Sequence, residues 1–392
     1  MKKYILLSIV LFGFVSCSKE TLIISSATQA EQTLFLYMPW STDLTTFFTQ
    51  NIIDLETALN DNILQNNRVI VFFSSSATEA SMFEIKYRKG EIIRTTLKEY
   101  TSPVLTTKSG IASILNDVIS FAPANRYAMI ISSHGNGWLP APETKAQRVR
   151  VVDDNMYHWE LEGAPVTRFF GGTTSDTQTN ISTLAAAIAM KGIKMDYILF
   201  DDCYMSTVEV AYDLKDVTDY LIASPTEVMA YGFPYHKIGK HLFGDFNLQG
   251  IVDGFYEFYK VYPEYPHGTI GVTVCAELDN LAAIMKEINQ RFSFNQALLG
   301  TLQRMDGYSP VIFFDFGDYV KNLCTDQTLL DRFEYQFERT TPTHLRLHTR
   351  KYYSRFRGPI EINTYSGITI SDPSVHPSAA AKTETAWYKA TH

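Results

Sequence analysis

Short apolar runs alternate with amphipathic stretches along most of the chain, a rhythm that predicts strands interleaved with helices. Thr33 to Met38 and Arg68 to Phe73 (RVIVFF) have the length and composition of strands, and Ser74-Ser75-Ser76 ends the second. Phe83 to Tyr87 and Ile92 to Leu97 predict a hairpin that turns at Lys89-Gly90. Ile111, Ile114, Leu115, Val118 and Ile119 recur at helical spacing, and Pro123 stops that helix. Arg126 to Ser132 (RYAMIIS) reads as the next strand. A long polar segment from Pro140 to about Thr179 contains Gly171-Gly172. Ile181, Leu184, Ala185 and Ile188 then mark a helix that ends at Gly192. Met195 to Phe200 (MDYILF), Tyr220 to Ala223 and Thr269 to Val274 read as buried strands. A short helix near Thr207 to Leu214 and a longer one carrying Leu278, Leu281, Ala282, Met285 and Ile288 complete the pattern.

Apolar strands separated by helices imply a three-layer α-β-α architecture with a largely parallel central sheet covered on both faces. The rhythm weakens after about residue 300, where Val311 to Phe314 and Ile368 to Ile370 are the clearest strands. The expected organisation is a domain over residues 31–300 and a less regular α+β extension over 301–392 packed on it. No internal repeat or low-complexity tract interrupts it.

The N-terminus has a different character. Lys2 and Lys3 precede an apolar run from Ile5 to Val15, followed by Ser16, Cys17 and the polar Ser18-Lys19-Glu20. The run is too short to span a membrane and reads as a secretory signal. A small residue directly before a cysteine resembles a bacterial lipobox. That resemblance implies a signal over residues 1–16, lipidation of Cys17, a tether over 17–30, and anchoring to the outer membrane on its periplasmic or external face.

Composition narrows the partners. The 392 residues are 45% hydrophobic and 19% charged, a globular balance. A formal net charge of -8 argues against general affinity for nucleic acid. The densest basic run, Arg346 to Arg357, is expected to be a solvated face or a strand edge. Of four cysteines, Cys17 is set aside by lipidation; Cys203, Cys275 and Cys324 remain, an odd number that leaves at least one free thiol.

Two segments place reactive groups directly after buried strands. His134 lies in Ser133-His134-Gly135-Asn136-Gly137-Trp138, and Cys203 in Phe200-Asp201-Asp202-Cys203-Tyr204-Met205. The C-terminal rim of such a sheet is where α/β folds build their sites. A thiol needs a base within reach, and an imidazole supplies one near neutral pH. The helix expected after Cys203 would favour the thiolate through its N-terminal amides.

These two motifs, together with Val208-Glu209-Val210-Ala211-Tyr212, Ala223-Ser224-Pro225-Thr226-Glu227 and Tyr231-Gly232-Phe233-Pro234-Tyr235, resemble the clostripain family of cysteine peptidases, which has a caspase-like fold. The resemblance implies an endopeptidase with Cys203 as nucleophile, His134 as proton carrier, and the amides of Cys203 and Gly135 as oxyanion donors. It implies cleavage after arginine or lysine, with Asp201 and more weakly Glu227 holding the basic side chain. Self-activation by cleavage at Lys145, Arg148 or Arg150 is implied as well. No cofactor is expected to be required, although some relatives use calcium, for which Asp153 and Asp154 could supply oxygens. A monomer acting on protein or peptide substrates is expected. The family motif is Asp-Ala-Cys, so Asp202 departs from it. A carboxylate near the sulfur would disfavour the thiolate, whereas one turned away as a cap would not. Two other readings stand beside this one. Asp201, Asp202 and Asp315 could hold a divalent metal for hydrolysis, or the chain could be a non-catalytic surface lipoprotein that binds peptide or glycan.

Overall fold

The computed structural model describes residues 29–41, 43–141, 171–172, 177–263 and 265–392. Cys17, Lys145, Arg148, Arg150, Asp153 and Asp154 lie outside the described residues. The first ten strands among the described residues are β1 (Ala30–Met38), β2 (Asn67–Ser74), β3 (Glu79–Arg88), β4 (Glu91–Thr101), β5 (Ala124–Ser132), β6 (Met195–Asp201), β7 (Thr218–Ala223), β8 (Thr269–Val274), β9 (Phe314–Asp315) and β10 (Arg346–His348). Among the described residues, nine of these form one sheet in the order β10-β8-β7-β6-β5-β1-β2-β3-β4. The central strands β2, β1, β5, β6 and β7 run parallel. The flanking pairs are antiparallel.

Strand alternation sends side chains to two separate cores. Phe35 and Tyr37 of β1 meet Ile111, Leu115 and Val118 on one face, while Leu34, Leu36 and Met38 meet Phe48, Ile52 and Leu55 on the other. The three-layer arrangement follows, because both faces of each central strand need cover. Each fully buried aliphatic or aromatic side chain contributes roughly 1.5–3 kcal/mol through burial. Helices α1 (Thr45–Ala58) and α2 (Lys108–Phe121) cover opposite faces. With α3 (Ile181–Met190) and α4 (Val208–Leu214) they account for the first half of the helical pattern. The Lys89-Gly90 turn takes positive φ at both residues, 53° and 89°, as a two-residue hairpin connection requires.

The expected strand Val311 to Phe314 is shorter, since only Phe314–Asp315 pairs, antiparallel to Thr369–Ile370. The amides of Ile312 and Phe313 go instead to the carboxylate of Asp306, at 2.8 and 2.5 Å, so no ladder can use them. Within the basic run, Arg346–His348 is the edge strand of the main sheet. The residues after 300 are thus built into the fold. Thr369 donates its amide to Ser206 O at 3.0 Å, and Trp138 Nε1 donates to Ser371 Oγ at 2.9 Å.

One seam between the extension and the sheet layer carries buried acids. Glu209 of α4 accepts the Ser371 amide at 2.8 Å. Burial pushes its carboxyl up to about 8, and neighbouring Asp372 up to about 7. Lys382 stands near both but donates to the carbonyls of Ser371, Asp372 and Ser374. The folded state therefore retains protons that the unfolded chain releases. That stability is fully present below pH 4.5, the ordinary value for Glu209, and is lost as pH rises through about 8. Denaturant unfolding should show a fall on the order of 2–4 kcal/mol from pH 5 to pH 8, and Glu209→Gln should flatten the slope. Equal stability of the unsubstituted protein at both pH values would contradict the assignment.

Candidate active site

The site forms where β5 and β6 end side by side, in register at Ser132 and Asp201. Beyond that pair the chains stay in contact. A Cβ added to Gly135 would lie 2.3 Å from Cys203 O and 2.8 Å from both Cys203 N and Asp202 Cβ. Only glycine lets the histidine segment come this close to the cysteine backbone. The segments that carry His134 and Cys203 are therefore brought together at the rim, and both residues are fully buried.

The cysteine is not placed at a helix N-terminus as expected. Helix α4 starts at Val208, five residues beyond Cys203, with Thr207 capping it. The chain instead makes a sharp turn, with Tyr204 at φ 59°. The polar contact to sulfur comes from the next loop: Val228 donates its amide to Cys203 Sγ at 3.2 Å, and Sγ lies 3.8 Å from Val228 O. The same loop accepts the Tyr204 amide at Thr226 O and the Ser206 amide at Ser224 O, both at 3.0 Å.

Asp202 turns its carboxylate to the histidine segment. Its Oδ1 accepts the Ser133 amide at 2.5 Å, and its Oδ2 accepts Ser133 Oγ at 3.3 Å. It acts as a clamp between the two strand ends. Asp201 is fully buried among residues of the opposite core. Its Oδ1 accepts the Phe233 amide at 3.0 Å, and Oδ2 accepts the Tyr235 hydroxyl at 2.9 Å. Glu227 lies on the Cys203 side. It accepts the Tyr204 hydroxyl at 2.6 Å and the Arg355 amide at 3.0 and 3.2 Å. Burial raises its carboxyl, opposed by these donors and by the Arg355 charge. Asp315 accepts the Ser366 amide and hydroxyl and caps the helix Phe316–Leu323. The three carboxylates of the metal reading thus serve three different loops and do not converge. The described cysteines Cys203, Cys275 and Cys324 are all free thiols.

One functional contact has no counterpart in the sequence motifs. Asp43 Oδ1 lies 2.8 Å from His134 Nε2. Asp43 belongs to the loop after β1, the strand that flanks β5 on the other side from β6. The only signal available beforehand was a carboxylate shortly past the C-terminal end of a buried strand.

The clostripain family model matches residues 36–331. No curated protein matches the chain. Among solved structures, a secreted C11 cysteine protease from Bacteroides thetaiotaomicron, iotapain, is 54% identical, with TM-score 0.84, over 93% of this chain and 99% of that one. A clostripain from the same organism, solved with the peptide inhibitor BTN-VLTK-AOMK, is 60% identical with TM-score 0.56, over 57% of this chain and 99% of that one. An inactive zymogen C11 protease from Parabacteroides distasonis is 25% identical with TM-score 0.75, over 93% of this chain and 99% of that one. A family model that spans most of the chain and the similarity to solved cysteine proteases place this protein in the clostripain family, as a cysteine-type peptide hydrolase.

Proposed function

We propose that the protein cleaves peptide bonds after lysine or arginine with a Cys203–His134 dyad. The observation that carries the dyad is the packing of Gly135 against the Cys203 backbone, which sets the two functional segments against each other. The thiol proton passes to the imidazole as sulfur bonds to the scissile carbonyl carbon. The tetrahedral intermediate collapses with loss of the C–N bond, and the imidazolium gives its proton to the leaving amine. Water then adds to the thioester, His134 takes its proton, and the thiol is restored. The amides of Cys203 and Gly135 are the proposed donors to the oxyanion, a role in which one donor is worth about 2.7–4 kcal/mol. The chemistry draws on side chains and backbone alone.

Of the two acids expected to hold a basic side chain, Asp201 faces the opposite core with its oxygens bonded to Phe233 and Tyr235, so we assign the specificity to Glu227. Glu227 is better supported because it bonds Tyr204, the residue after Cys203. The inhibitor bound to the related clostripain carries a peptide ending in lysine, which agrees with this. Self-cleavage at Lys145, Arg148 or Arg150 and lipidation of Cys17 complete the reading. The secreted relative is in keeping with export. No helix among the described residues is long and apolar enough to cross a membrane.

Three measurements test it. Short amide substrates ending in lysine or arginine should be cleaved, Cys203→Ala should abolish turnover, and Glu227→Gln should lower kcat/KM by about 10- to 100-fold, the worth of a charged hydrogen bond. Equal turnover of substrates ending in a neutral residue would sink the specificity. On a denaturing gel the unsubstituted protein should split into two pieces whose junction maps to residues 145–150, while Cys203→Ala stays whole. A split that persists in Cys203→Ala means another protease cuts the chain. Cys17→Ser should release the protein from the membrane fraction; unchanged fractionation rules out the anchor.

A further inference from the structure

We infer that Asp43 is the positioning residue of this peptidase, fixing the orientation and tautomer of His134 and stabilising its imidazolium. The inference rests on the dyad reading and adds a third member to it. An ionised carboxylate only accepts hydrogen bonds, so the proton on Nε2 belongs to the imidazole, which donates it across 2.8 Å to Asp43 Oδ1. In the neutral ring Nδ1 is then the basic nitrogen. Proton exchange with the thiol and the leaving amine falls to Nδ1. When the ring gains its proton, the carboxylate opposite Nε2 stabilises the charge within a buried setting.

The geometry makes this contact selective. The His134 side chain is fully buried, whereas Asp43 keeps 39% of its side-chain surface exposed. A rigid ring is therefore held by a carboxylate that remains hydrated. Among the described residues, Asp43 from the β1 end and Asp201 and Asp202 from the β6 end bond the His134 segment, and the Cys203 backbone lies against Gly135. Of these, Asp201 bonds Ser132 and Asp202 bonds Ser133, while Asp43 bonds the ring. The backbone is fixed from a third side, since the His134 amide donates to Gly171 O at 3.2 Å. Ser41, two residues before Asp43, donates its hydroxyl to that same oxygen at 3.1 Å. One carbonyl thus ties the Asp43 loop to the histidine backbone.

The test compares Asp43→Ala and Asp43→Asn with unsubstituted protein and Cys203→Ala, using a short lysine-terminated amide. Asp43→Ala should lower kcat about 10- to 100-fold with KM within about twofold, because the loss falls on proton transfer. Asp43→Asn should recover part of kcat, since its amide oxygen still accepts from Nε2. In both variants the acidic limb of the kcat/KM profile, which reports the imidazole acting as base, should move to lower pH, because the imidazolium loses its counter-charge. A kcat within threefold of the unsubstituted protein in both variants overturns the inference. So does a lowered kcat with an unmoved acidic limb, the mark of a merely structural residue. Should Asp43→Ala fail to fold, Asp43→Asn alone decides by the same limb. If the unsubstituted protein shows no Cys203-dependent cleavage, the peptidase reading falls and takes this inference with it. Full activity that is indifferent to Asp43 removes this inference only.

Discussion

The structure depends on one close approach, that of the β5 and β6 ends where Gly135 lies against the Cys203 backbone. Parallel strands separate beyond their last ladder bond unless something holds them. Here the Asp202 carboxylate does so by accepting both polar hydrogens of Ser133. Leaving a buried amide such as this unpaired costs about 1–3 kcal/mol. The residue that breaks the family's usual cysteine motif therefore reinforces the contact. Its two carboxylate oxygens accept from the amide and the hydroxyl of Ser133, both in the histidine segment.

A second layer of support comes from residues 224–235, which run along the cysteine turn. They provide the amide at Sγ, the carbonyls that hold Tyr204 and Ser206, and the Asp201 partners Phe233 and Tyr235. That loop leans in turn on the extension through Arg355 and Glu227. The extension also adds β10 to the sheet edge and ties Thr369 to Ser206. The extension is thus part of what holds the Cys203 turn. Its irregular appearance in the sequence hid that role.

The legible parts were those governed by local periodicity. β8 is bounded correctly at both ends, the Lys89-Gly90 hairpin is placed, and the short helix expected near Thr207 to Leu214 is found at Val208–Leu214, with Thr207 as its cap. The buried runs of β1, β5 and β6 located the rim, and with it His134 and Cys203. The illegible parts involve partners far apart in sequence or groups without side-chain signatures. Val228 meets the sulfur through its backbone amide, which any residue would offer. β10 is three residues long, too short for a period of two to register. Asp43 stands 91 positions from His134, and only the β1–β5 pairing brings it near.

That distribution has a physical reason. Strand and helix identity is decided by burial of neighbouring side chains, so it is written in nearby residues. The polar contacts of the site are made where strands end and loops from different strands meet. Their specificity comes from the parallel order β1-β5-β6, which sets three C-terminal ends next to one another. β1 delivers a carboxylate, β5 an imidazole and β6 a thiol. The hydrogen bond runs from the ring to the first of these strands, and the backbone contact to the third. A shift of one residue in either ladder would move the ring from its carboxylate or open the space that Gly135 closes. The registers Tyr37 with Ile131 and Ser132 with Asp201 are therefore as much a part of the active site as the side chains beyond them.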